Sequence, residues 1–236
     1  MIKNFKIKNL GGTQEFIWSD LGRINLIIGS NGCGKSALLH ELYAPHTSGA
    51  GNPSNIKMIA DGKLHGYFDL EQIYKLSRDA SKRSPVAQIT IGEAVEVTRR
   101  FFNASATTLY ARVVVDGLRP RQILNMLAES DYVKDGSIVL IDDVEAHLDP
   151  RAVSDMLDTV ALLAKKGAQF FITSHSYFVI KKLFLIAQEQ KMSVPVLSYQ
   201  DDKWVQSDLL EDIADNPIID ESIRLYKEEV NLAFGE

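Results

Sequence analysis

Ile24-Asn25-Leu26-Ile27-Ile28-Gly29-Ser30-Asn31-Gly32-Cys33-Gly34-Lys35-Ser36-Ala37-Leu38-Leu39-His40 joins an apolar run, a glycine-rich loop and a segment of helical spacing without a break. Residues 23–28 read as a short buried strand, and residues 36–43 as a helix. The loop between them fits G-x-x-x-x-G-K-[ST] without a gap. Its glycines let successive backbone N–H groups curl around phosphate oxygens, and the helix that follows adds its positive end. Lys35 would reach the β- and γ-phosphates, and the Ser36 hydroxyl would ligate magnesium. The bland alternative is an ordinary glycine turn, but strand before and helix after are the context that triphosphate binding needs. The candidate cofactor-binding residues are therefore Gly29, Ser30, Asn31, Gly32, Cys33, Gly34, Lys35 and Ser36, with ATP and Mg2+ as the expected cofactors. Cys33 occupies one of the variable positions and reads as a small filler rather than a redox switch.

Outward from this loop, apolar strands and helices alternate. Residues 2–10 and 14–18 read as paired strands across Gly11-Gly12-Thr13. Residues 46–55 are a loop rich in Gly, Ser, Pro and Asn. A hairpin around Asp61-Gly62 is followed by a basic helix near 70–82, within a less regular insert spanning about 45–110. Residues 109–115 are strand-like, and 119–128 form a helix with Pro120 in its first turn, where a missing N–H costs least. Further on, strands are expected at 137–141, 169–173 and 194–198, with helices at 150–165 and 177–188. This alternation predicts an α/β fold: a mostly parallel central sheet covered by helices on both faces, with an antiparallel β element at the amino terminus. The expected division is a domain over 1–200 and an acidic extension over 201–236. In that extension Ile219, Ile223, Tyr226 and Val230 share one helical stripe, which either docks on its own domain or meets a partner.

Two more strand ends carry chemistry. Asp142 closes Ile138-Val139-Leu140-Ile141, at the carboxyl edge where open α/β sheets bind ligands. Its carboxylate can hold the magnesium that Ser36 also touches. Asp143 and Glu145 follow, two candidates for the group that orients or deprotonates an attacking water. Both could instead be acidic residues favoured near a helix start. Phe170-Phe171-Ile172-Thr173-Ser174-His175-Ser176 again ends a buried strand in polar residues. His175 there could hydrogen-bond the γ-phosphate and report its presence, although a lone histidine is more often structural.

Composition narrows the class. The chain has 236 residues, 45% apolar and 24% charged, ordinary for one sizeable globular domain. No apolar run approaches the roughly 18–20 residues of a membrane span. The amino terminus lacks an apolar signal core, so a cytoplasmic protein without a membrane partner is expected. One cysteine excludes an internal disulfide and a multi-cysteine metal site. The net charge of −5 is uneven: residues 201–236 hold eleven acidic and three basic side chains, so the remainder is slightly basic. Charge alone neither favours nor opposes nucleic acid. Lys75, Arg78, Lys82, Arg83, Arg99 and Arg100 could form a basic surface, although such clusters are usually solvated faces.

Taken together and in order, these motifs resemble the ATPase heads of the ABC superfamily. The likeness is to the non-transporter branch of chromosome-maintenance proteins, RecF-like repair proteins and overcoming-lysogenization-defect nucleases. It rests on Ile2-Lys3-Asn4-Phe5-Lys6-Ile7-Lys8-Asn9-Leu10, on residues 24–32, on Ile141-Asp142-Asp143-Val144-Glu145-Ala146-His147-Leu148-Asp149-Pro150, and on Thr173-Ser174-His175-Ser176. The resemblance implies a head that forms a homodimer on ATP, each nucleotide lying between one subunit's loop and the other's signature motif. Leu148-Asp149-Pro150 would pass between the subunits.

Two departures stand out. In the signature position, Asp116-Gly117-Leu118-Arg119-Pro120-Arg121-Gln122 keeps Gly117 and Gln122 but has Arg119 in place of a second glycine. Arg119 could reach a γ-phosphate with its fork, or be an ordinary exposed arginine. Asp143 replaces the usual catalytic glutamate with a chain one methylene shorter. Water positioning is sensitive to about 1 Å, so slow hydrolysis is expected, or transfer of the role to Glu145. Gln72 and Gln88 are the candidates for the glutamine that completes the magnesium site. The leading expectation is an ATPase controlling a separate effector in DNA maintenance or repair, or in antiviral (anti-phage) defence. About 60 residues after the histidine motif are too few for an appended nuclease domain of ordinary size. The alternatives are a transporter's nucleotide-binding subunit, with Phe16 or Trp18 stacking on adenine, and a non-hydrolysing ATP-gated switch.

Overall fold

The computed structural model describes residues 1–10, 13–43, 56–60, 63–69, 88–91, 110–116, 120–129, 133, 135–211 and 217–234. Strands β1 (Phe5–Leu10) and β2 (Thr13–Trp18) form an antiparallel hairpin. A nine-stranded sheet follows the order β11-β10-β3-β9-β8-β4-β5-β7-β6. Its members are β3 (Ile24–Ile28), β4 (Ile56–Ala60), β5 (Lys63–Asp69), β6 (Gln88–Ile91), β7 (Tyr110–Asp116), β8 (Ile138–Ile141), β9 (Gln169–Ser174), β10 (Pro195–Gln200) and β11 (Lys203–Asp208). The helices are α1 (Lys35–Tyr43), α2 (Pro120–Glu129), α3 (Pro150–Lys165), α4 (Tyr177–Gln190) and α5 (Pro217–Phe234).

The block β10-β3-β9-β8-β4 is parallel throughout. Antiparallel strands extend it on both sides, β11 on one and β5, β7 and β6 on the other. All five residues of β3 and all six of β9 are buried, the signature of strands covered on both faces. Side chains alternate between those faces. Ile24, Leu26 and Ile28, with Phe170 and Ile172, pack on residues of α2, α3 and α4. Ile27, Leu140, Phe171 and Leu197 pack on Leu38 and Leu39 of α1 and on Trp18 from the hairpin. Polar Asn25 is also fully buried, and its side chain is satisfied by the N–H and C=O of Gly22 and the carbonyl of Phe170.

The expected α/β architecture is present, including the amino-terminal hairpin and the antiparallel pairing of β4 with β5. Two strands escaped the sequence reading. Strand β6 pairs with β7, and β11 pairs with β10, so the boundary placed at residue 200 falls inside a hairpin. Asp201 and Asp202 both take positive φ, 46° and 59°, as a tight hairpin turn requires. An Asp-Asp pair signals such a turn more weakly than Asn-Gly. The region read as a less regular insert also supplies β4, which lies beside β8 in the parallel block. The basic helix expected near 70–82 and the arginines at 99 and 100 lie outside the described residues.

Candidate nucleotide site

The strand order places β9 between β3 and β8, with Ile28 level with Ser174 and Ile141 level with Ile172. Three chain segments therefore leave the sheet side by side at one edge: the loop 29–36, Asp142 with its successors, and the segment 174–176. This register converges groups that lie up to about 140 residues apart in sequence.

The loop turns from β3 into α1. Gly32 and Gly34 take φ of 82° and 102°, values that L side chains rarely adopt. A Cβ at Gly32 would meet nothing within 4 Å, so glycine is demanded there by backbone conformation and not by crowding. Lys35 is buried, and its Nζ donates to the carbonyls of Gly29 and Ser30 at 2.9 and 3.0 Å. The ammonium thus lies inside the curl of the loop. Cys33 is buried, and its Sγ would lie only 2.8 Å from a Cβ built on Gly29, so the loop closes tightly over a small residue.

Ser36 Oγ donates to Asp142 Oδ1 at 3.1 Å, which puts both expected magnesium ligands together. Thr173 Oγ1 donates to the same oxygen at 2.6 Å and accepts from the Asp143 N–H at 2.7 Å. One hydroxyl therefore ties the ends of β8 and β9 and holds Asp143 in its left-handed backbone conformation, φ 44°. Aspartate is among the residues that tolerate that region. Ser174 and Thr173 had no assigned role in the sequence reading. Hydroxyls that end a fully buried strand must find partners, and that signal could have found them.

Asp143, Glu145 and His175 each offer a ligand atom within a 4.8 Å cluster. Glu145 Oε1 accepts from Ser174 Oγ at 3.0 Å and from the His175 N–H at 2.9 Å. His175 Nδ1 lies 3.1 Å from Glu145 Oε1 and 3.6 Å from Asp143 Oδ1. With Nδ1 facing the carboxylates, Nε2 is the ring nitrogen left for a ligand. Asp149 caps α3 by accepting the Ala152 N–H at 3.0 Å, and that bond chiefly holds its carboxyl below the ordinary range.

Several expected residues are not brought here. Gly117 and Arg119 lie outside the described residues, as does Gln72. Gln88 stands on β6, four strands across the sheet from β8, roughly 19 Å at ordinary strand spacing, too far to complete the magnesium site. Trp18 is fully buried and packs edge-on against Phe171 at 6.1 Å, so it is core and has no free face for adenine. Phe16 is half-buried against the same cluster.

A family profile described as "AAA domain, putative AbiEii toxin, Type IV TA system" matches residues 90–181, which include Asp142, Asp143, Glu145 and His175. Residues 90–181 are thus similar to that family of AAA domains. The glycine loop after β3 lies outside that match. A stretch of 95 residues is 30% identical to the ribose import ATP-binding protein RbsA of Pseudomonas putida, covering 38% of this chain and 18% of that relative's length. Among solved structures, cbiO1 of Clostridium perfringens, part of the ABC transporter complex cbiONQ, aligns over 100% of this chain and 98% of its own at 14% identity, TM-score 0.49. A nucleotide-free ATP-binding cassette from an ABC transporter aligns over 87% and 91% at 15% identity, TM-score 0.47. For the magnesium ion that such domains use, the donors fit: a hydroxyl and a carboxylate are hard oxygen ligands, already adjacent at Ser36 and Asp142. Among the described residues no helix is long and apolar enough to cross a membrane.

Proposed function

We propose that this chain binds ATP with magnesium, hydrolyses it slowly, and closes on a second copy of itself over the nucleotide to control a separate effector. The observation that carries the reading is the register that sets Lys35, the Ser36–Asp142 pair, Asp143 and His175 along one sheet edge. Lys35 would exchange its loop carbonyls for phosphate oxygens, a change of acceptor for a charge that is already desolvated. Magnesium on Ser36 and Asp142 would supply positive charge to the phosphates. Asp143, anchored through its N–H, would orient the attacking water, and its short chain is the reason to expect slow turnover.

Dimerisation follows by linkage: a triphosphate bound in the interface favours the closed pair, and hydrolysis withdraws that preference. The effector is a separate chain in this reading, acting in DNA maintenance or anti-phage defence. The matching profile's description, which names a toxin–antitoxin system, supports a head that works with a partner. The test combines ATP turnover with light-scattering mass measurement, with and without ATP·Mg. An Asp143→Asn chain should bind ATP, fail to turn it over and accumulate as a dimer. Tight ATP binding with no turnover in the wild type would leave the ATP-gated switch and sink the enzyme. A transporter subunit is the second reading, favoured by the 30% identity to RbsA. Co-purification with a membrane permease encoded alongside this chain would select it.

A further inference from the structure

The sequence leaves Asp143 and Glu145 as equal candidates for the water-directing carboxylate, and the geometry separates them. Glu145 Oε1 takes two donors from one segment, Ser174 Oγ at 3.0 Å and the His175 N–H at 2.9 Å, and His175 Nδ1 lies 3.1 Å from the same oxygen. Glu145 Oε2 is buried, with no hydrogen-bond partner among the described residues. The Glu145 side chain is only 14% exposed, against 44% for Asp143 and 50% for His175. A general base must come within about 2.6–3.2 Å of the proton it takes. Here one Glu145 oxygen already accepts two hydrogen bonds and the other has no accessible surface. Asp143 Oδ1 stands 3.6 Å from the imidazole, beyond hydrogen-bonding distance, and is half-exposed.

We infer that Glu145 is a positioning residue for His175, and that Asp143 is the carboxylate left to meet water. A carboxylate only accepts, so the Nδ1 facing it at 3.1 Å would carry the imidazole proton and leave Nε2 for a ligand. The hydrogen bond from the His175 backbone fixes the residue itself, and the Ser174 hydroxyl fixes the Glu145 carboxylate. Glu145 thus sets both ring orientation and tautomer without touching nucleotide.

The kinetic part of this assignment rests on the proposed hydrolysis, so the experiment reads two independent quantities. The first is the ATP turnover rate and KM of the full chain for Glu145→Gln, Glu145→Ala, His175→Ala, Asp143→Asn and the Glu145→Ala/His175→Ala pair. Glutamine keeps a carbonyl oxygen to face Ser174 and His175 but cannot act as a base. Glu145→Gln should stay within about threefold of wild type, while Glu145→Ala should lose about 100-fold in kcat with little change in KM, the scale of a misplaced catalytic group. The double variant should be no slower than His175→Ala alone. Equal loss in Glu145→Gln and Glu145→Ala, or losses that multiply in the double variant, would overturn the assignment.

The second quantity is the imidazole tautomer of His175, read from nitrogen-15 spectra of nucleotide-free protein with the ring neutral. The Nδ1 proton should persist in wild type and Glu145→Gln and be lost in Glu145→Ala. An unchanged tautomer in Glu145→Ala overturns the inference even if the wild type proves inactive, the outcome that would instead defeat the hydrolysis reading. If Glu145→Ala does not fold, Glu145→Gln decides: full activity with the Nδ1 proton retained supports the assignment, and a dead enzyme ends it.

Discussion

The carboxyl edge of β3, β8 and β9 and the helix α5 treat their residues in opposite ways. At the edge, polar side chains are partnered within the chain: Lys35 to two carbonyls, Thr173 to Asp142 and Asp143, Ser174 and His175 to Glu145. Among the described residues, helix α5 packs Ile218 and Ile219 of its first turn against the core. Beyond that turn Ile223, Leu225, Tyr226, Leu232 and Phe234 are exposed, while Arg224 bonds Glu221 and Glu228. Helix α3 is the instructive foil, because it is also amphipathic and of similar length. It buries seven residues, among them Met156, Leu157 and Val160. Amphipathic periodicity is therefore common to both helices, and only α3 lies along the sheet. What differs is the surface each one meets.

Five measurements would break or sharpen this contrast. Leu157→Ala in α3 should cost about 2–5 kcal/mol in urea unfolding, because a fully buried leucine leaves a cavity. Lys35→Ala should weaken ATP·Mg binding about 30-fold or more in a fluorescent-nucleotide titration, the loss of a charge-assisted contact in a buried site. Thr173→Val keeps the shape but leaves the Asp143 N–H without its acceptor, and should cost about 1–3 kcal/mol of stability together with turnover.

Asp149→Asn should act only through pH. The folded Asp149 carboxyl titrates below its unfolded value, so its stabilisation is complete above the ordinary carboxylate range. That stabilisation is lost as pH falls through the lowered folded value. The difference between wild type and Asp149→Asn in pH-dependent unfolding should shrink toward zero in acid. Smallest of all, Tyr226→Ala and Leu232→Ala in α5 should shift stability by less than about 0.5 kcal/mol, since both side chains are exposed. A large loss in either would mean that α5 is held by contacts beyond its first turn.

Much of the site is legible in contiguous stretches of the chain. A run such as Ile138-Val139-Leu140-Ile141 can only be a buried segment, and an aspartate that ends it must stand at its rim. The same logic places Gly29–Ser36 and His175, because a glycine loop between strand and helix and a polar triplet after a buried strand are local patterns. Gln88 shows where that logic stops. Its strand is invisible in the local pattern, and nothing local says that β5 and β7 stand between β4 and β6. Trp18 shows the same limit, since an aromatic just before the loop could stack on a base or fill the core with equal local plausibility.

The sequence by itself determined that this chain builds a largely parallel α/β sheet with a phosphate loop, because periodicity and the glycine pattern are properties of contiguous residues. It also determined which carboxylates and which histidine could serve, because only strand ends expose polar groups beside a buried core. The tertiary structure alone decided that β9 lies between β3 and β8, and hence that Thr173 bridges Asp142 and Asp143. It also decided that Glu145 turns inward to His175 while Asp143 stays outward, and that β11 joins the sheet while Tyr226, Leu232 and Phe234 of α5 are exposed. Strand adjacency and side-chain orientation depend on hydrogen bonds and packing between distant segments, and no local pattern encodes them.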